Sequence, residues 1–61
     1  MNKQYILVSY TMKNKSKMTI IDSLGALGLR EAEADFKKRN DYDKLIKKGD
    51  LMVCEVKKYY Q

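Results

Sequence analysis

The sequence has no histidine, no proline and no tryptophan, and it has one cysteine, Cys54. Each absence excludes something. One cysteine permits no intrachain disulfide, and a lone thiol suits a reducing compartment. Without histidine, the Ser/His and Cys/His pairs that activate nucleophiles cannot be assembled. A structural zinc site would have to combine one thiolate with carboxylates, unlike the donor sets such sites use. Long hydrophobic runs are also missing. The stretch Tyr5–Val8 is too short for the apolar region of a signal peptide or for a bilayer span. Without proline or low-complexity sequence, no linker is evident. The expectation is one domain over residues 1–61, in the cytoplasm of its cell, with no membrane association, cofactor, metal or catalytic residues.

Small size adds a second constraint. The chain has 61 residues, and a domain of about 60 residues buries only about 60% of its unfolded surface. With disulfides and metals excluded, association with a second copy is the remaining common stabiliser, so a homodimer is expected.

What is present is mostly apolar and basic. Hydrophobic residues make up 44% of the chain, which argues against disorder. Thirteen basic and eight acidic residues give a net charge of +5. That balance suits an acidic protein surface or nucleic acid. Arg30 and Arg39 are the only arginines. Bidentate base readers use arginine, so sequence-specific DNA recognition is disfavoured.

Periodicity gives the elements. Gln4–Met12 alternates as a strand, with Ile6, Val8, Tyr10 and Met12 on one face and Tyr5 and Leu7 on the other. Lys13–Lys17 reads as a hairpin turn. A second strand covers Met18–Ile21, stopped by Asp22 and Ser23. Gly25 and Gly28 predict a loop or single turn over Ser23–Leu29, with Leu24 and Leu27 turned inward. Leu29–Arg39 is the clearest helix: Leu29, Ala32 and Phe36 share a face, acids precede bases, and the order complements the helix dipole. Tyr42, Leu45 and Ile46 suggest a short helix, capped by Gly49. A last strand runs from Leu51 to Tyr60. The fold expected is a small α+β domain, ββα(α)β, with a three-stranded, mostly antiparallel sheet and one helix packed on one face. The competing reading joins Thr19–Leu29 to the helix in a mostly helical domain.

This arrangement predicts two surfaces. One helix covers one face of a three-stranded sheet. If it covers Ile6, Val8, Tyr10 and Met12, then Tyr5, Leu7, Leu51 and Val53 form an apolar self-association patch. A helix returning toward the hairpin would gather Lys13, Lys15, Lys17, Lys37, Lys38 and Arg39 at one basic pole, with Asp22, Glu31, Glu33 and Asp35 at the other. A solvated rim is the plain alternative. Glu31, Glu33 and Asp35 alternate along the helix and point apart, which suits a solvated face better than acid–base work. Tyr59 and Tyr60, beside Lys57 and Lys58, could stack on bases or anchor a protein contact. Gly25-Ala26-Leu27-Gly28 has the letters of the GXXG loop that clamps nucleic acid in KH domains, although the flanking elements do not follow that fold's order.

The usage of lysine, tyrosine, isoleucine and asparagine resembles that of short accessory proteins of phages that infect low-GC bacteria. The segments Tyr5–Tyr10, Glu31–Ala34 and Glu55–Tyr60 carry the resemblance. It implies a protein that binds and blocks a host protein, components of antiviral defence included, in the host cytoplasm. The leading expectation is therefore a non-enzymatic inhibitor of a host protein. A small basic nucleic-acid-binding module is the alternative, and a structural subunit of a larger assembly is a third reading.

Overall fold

The computed structural model describes residues 2–11 and 17–57. The elements are β1 (Lys3–Thr11), β2 (Lys17–Ala26), α1 (Leu29–Arg39), α2 (Tyr42–Ile46) and β3 (Asp50–Val56). The strands form one three-stranded sheet in the order β2-β1-β3, and both pairings are antiparallel. This is the small α+β fold that the periodicity predicts. β1 takes the centre because its middle is apolar on both faces, and only a central strand has neighbours on either side to shield both.

β2 is longer than expected. Asp22 and Ser23 do not stop it; it runs through to Ala26, with Gly25 opposite Gln4 and Ala26 opposite Lys3. The turn-forming capacity of Asp22 is used elsewhere. Its carboxylate accepts hydrogen bonds from the Ser23 backbone N–H at 2.8 Å, from Arg39 Nη2 at 2.9 Å and from Asn40 Nδ2 at 3.1 Å. The expected loop over Ser23–Leu29 shrinks to Leu27 and Gly28. Leu24 turns inward as expected, but Leu27 is 65% exposed. With Gly25 and Ala26 committed to strand pairing, the GXXG-like letters do not form a loop.

A bulge interrupts the β1–β2 ladder. Leu7 lies opposite Asp22 and Val8 opposite Ile20, which leaves Ile21 as an extra residue on β2. A bulge of this kind puts the two residues facing one partner on the same side of the sheet. Ile21 accordingly joins the core, and Asp22 reaches the end of α1.

α1 has the predicted bounds. Gly28 is its N-cap and supplies no side chain, but Glu31 reaches back so that its Oε2 accepts from the Leu27 backbone N–H at 3.1 Å. This does part of a capping box's work. At the other end, Asn40 closes the helix twice. Its backbone N–H and its Nδ2 both donate to the Phe36 carbonyl, at 2.9 and 3.0 Å. Ala32 and Phe36 are fully buried, whereas Leu29 is 49% exposed and stays outside the core. α2 is a single short turn of helix, capped by the Asp41 side chain accepting from the Lys44 N–H at 3.3 Å. It ends at Lys47 in the ordinary helical conformation, so Gly49 is not its cap. Gly49 has another role: a Cβ there would lie 2.7 Å from the Tyr10 carbonyl oxygen. Only glycine lets the chain pass this close before β3 pairs with β1.

The core lies between the sheet and α1. Tyr5, Leu7, Ala26, Ala32 and Phe36 form its buried centre, flanked by Ile21, Leu24, Tyr42, Leu45, Leu51 and Val53. The helix therefore covers the face opposite to the expected one. Tyr5, Leu7, Leu51 and Val53, expected to form a self-association patch, lie beneath the helices. The face of Ile6, Val8 and Tyr10 is the one left open; Met12 lies outside the described residues. The Cα extents are 39 × 30 × 15 Å. The thin dimension has room for one sheet and one helical layer, since such layers pack about 10 Å apart.

Candidate protein-interaction face

The open face can be mapped from the register, because directly opposite residues of an antiparallel pair share a face. Three rows cross the sheet. Ser23, Ile6 and Cys54 form one, Ile20, Val8 and Met52 the next, and Met18, Tyr10 and Asp50 the last. Gln4 extends the face between Gly25 and Val56. The relief is uneven. Val8, on the central strand, is 2% exposed but is not part of the core cluster beneath the helices. Its cover comes from its neighbours on the open side. Ile20 at 65% and Met18 at 64% stand up along β2, and Met52 at 37% stands along β3. The face is thus a shallow trough over β1 between two apolar ridges.

Its electrostatics are unusual for this chain. Among the described residues, Asp50 at one corner is the only charged side chain on the face, although the whole chain carries +5. The described lysines lie on the helical layer, on the other side of the sheet or beyond the strand ends. Cys54 is half-buried on the open face beside Ile6, with no disulfide partner.

The expected basic pole is not assembled as predicted. Lys13 and Lys15 lie outside the described residues, as do Tyr59 and Tyr60. Arg39 pairs with Asp22 at 2.9 Å, although Asp22 was assigned to the opposite, acidic pole. The reason is length. α1 ends level with Asp22, and Lys17 lies five strand positions beyond it, roughly 16 Å at strand rise. Lys37, Lys38 and Arg39 therefore stop short of the hairpin end. Lys48 reaches it instead: Lys17 and Lys48 border a hollow of about 270 Å³ lined by Ser9, Tyr10, Thr11, Thr19 and Ile21. Periodicity carries no signal for this placement of Lys48, because its position follows from the turn after α2.

A second hollow, about 170 Å³, lies between α1 and β3 and is lined by Leu7, Glu33, Lys37, Tyr42, Leu51, Met52 and Val53. The Tyr42 hydroxyl is buried and has no hydrogen-bond partner among the described residues. Burial, with the nearby Glu33 carboxylate adding to it, pushes the Tyr42 pKa above its usual value. Among the described residues, no cluster of Cys, Asp and Glu could hold a metal ion, and no helix is long and apolar enough to cross a membrane.

Compared with protein-family models, curated proteins and solved structures, the chain matches none.

Proposed function

We propose that the chain is a non-enzymatic interaction protein that docks on protein through the open face of its sheet. The observation that carries this reading is the uncharged apolar trough over Val8, with Ile20 and Met18 largely exposed beside it. The largest contiguous apolar patch on a small domain is often its binding site. The resemblance to short phage accessory proteins extends the proposal: the chain binds a host protein and inhibits it by occupying its surface. Full-length wild-type protein and an Ile20→Glu variant, used as baits in a bacterial lysate, test this reading. Wild type should retain a stoichiometric partner that the variant loses. Equal recovery by both baits, or no recovery by either, would overturn it.

A second reading, a basic nucleic-acid-binding module, is favoured by one observation. Lys17 and Lys48 share a hollow with the hydroxyl-bearing side chains of Ser9, Thr11 and Thr19, a chemistry that suits a phosphate. If several phosphates are contacted, log affinity should fall steeply with log salt. A gel shift at low salt that stays blank with DNA and RNA at micromolar protein would end it.

A further inference from the structure

We infer that a second copy of this chain occupies the open face, giving a symmetric dimer of four layers: helix, sheet, sheet, helix. The inference rests on the docking-face reading above and names what covers the face in the free protein; a host protein that docks there displaces the second copy.

Charge argues for self-recognition. Two copies each carrying +5 repel unless their cations point apart. The open face carries no described lysine or arginine, so face-to-face contact keeps the charged layers on the outside. The face offers only Asp50, at its corner, so little charge opposes a second copy there.

Shape argues the same way. A two-fold interface must be self-complementary. The face has a ridge along β2 and a trough along β1, one strand apart. A two-fold axis parallel to the strands, between β1 and β2, sets the ridge of each copy over the trough of the other. Ile20 lies opposite Val8 and Met18 opposite Tyr10 in the ladder, and such an axis preserves height along the strand. Ile20 of each copy therefore meets Val8 of its mate, and Met18 meets Tyr10. Sheets packed this way interdigitate about 10 Å apart with a moderate twist between them. Both exposed β2 side chains become buried.

Area sets the strength. That axis overlaps two strands of each copy, which at about 4.8 Å spacing and roughly 30 Å length give a footprint of about 300 Å². Two such faces bury on the order of 700 Å² in total, below the range of stable specific interfaces. The dimer should therefore be a weak and dynamic one, populated toward the upper end of the concentrations tested.

Sedimentation equilibrium of the full 61-residue chain, from low to several hundred micromolar, tests the inference. The expected result is a monomer–dimer equilibrium. Ile20→Glu, at an exposed position that should not disturb folding, should raise the dissociation constant at least about 100-fold, because the symmetric contact would bury two new carboxylates. Circular dichroism checks that the variant is folded, and Met18→Glu serves as a second probe. A wild-type chain that stays monomeric throughout overturns the inference. So does a dimer that both variants leave intact. Binding of an anilinonaphthalene sulfonate dye separates the two readings. A monomer whose dye binding Ile20→Glu abolishes keeps the docking face and loses the second copy. A monomer that binds no dye loses both.

Discussion

The two faces of the sheet use similar residues for opposite ends. On the covered face, Tyr5 and Leu7 are at most 2% exposed beneath Phe36 and Ala32. On the open face, Ile20 and Met18 are about two-thirds exposed. Side chains of one chemical class are holding the fold together on one side and remain available for contact on the other. Hydropathy alone does not separate a core from an interface. Helix coverage does.

Mutation should make the contrast measurable. The largest effect is expected for Phe36→Ala. Truncating a fully buried phenylalanine costs about 3–5 kcal/mol, comparable to the whole stability of a domain this small, so the variant should be unfolded by circular dichroism at 25 °C. Ile20→Ser, on the open face, should change monomer stability by no more than about 0.5 kcal/mol in urea unfolding. If the two substitutions cost the same, the assignment of the faces is wrong. Gly49→Ala comes next, at about 1–3 kcal/mol, since its Cβ would press on the Tyr10 carbonyl at 2.7 Å. Asp22→Ala should cost about 1–2 kcal/mol. It removes an ion pair whose Arg39 side is half exposed and so contributes little by itself, but it also leaves Asn40 Nδ2 without that acceptor.

Tyr42→Phe should have the smallest effect at neutral pH, within about 0.5 kcal/mol, because the hydroxyl it removes has no described partner. The variant gains a distinctive alkaline behaviour. The Tyr42 pKa is raised above its usual 10.0 in the folded chain. The neutral phenol therefore favours the folded state below pH 10.0, and that contribution is lost as pH rises through the folded value. Tyr42→Phe should flatten this alkaline decline in a series of urea titrations. An unchanged decline would place its origin in another group.

Much of the fold was legible in the sequence. The period-two runs marked β1 and β3, and the spacing of Ala32 and Phe36 with the acid-to-base gradient marked α1. What alternation cannot reveal is which side of a two-sided apolar strand meets the helix. β1 offers Tyr5 and Leu7 on one side and Ile6, Val8 and Tyr10 on the other, and counting apolar residues favours the wrong side. The choice is made across strands. Leu24 on β2 lies opposite Tyr5, Val53 on β3 opposite Leu7 and Leu51 opposite Ser9 on the same face, adding branched bulk on the side where α1 lands. The alternation of β2 was illegible for a different reason. It changes phase at Ile21, so neither half continues the pattern of the other, and Asp22 and Ser23 at that point carry the signals of a strand end.

That phase change has an evolutionary consequence. The extra residue at Ile21 acts as a frame correction. It lets Leu24 and Ala26 fill the interior while Ile20 and Met18, an even and otherwise forbidden number of positions away, turn to the outside. Straightening the bulge with Ile21 retained would invert everything upstream of it in β2, sending Thr19 and Lys17 outward and drawing Ile20 and Met18 beneath the helical layer. Loss of the Ile21 codon would instead restore plain alternation, leaving Ile20 opposite Val8 and Met18 opposite Tyr10 and removing one side chain from the core, whereas point substitutions along the exposed ridge would alter its partner preference with the scaffold intact.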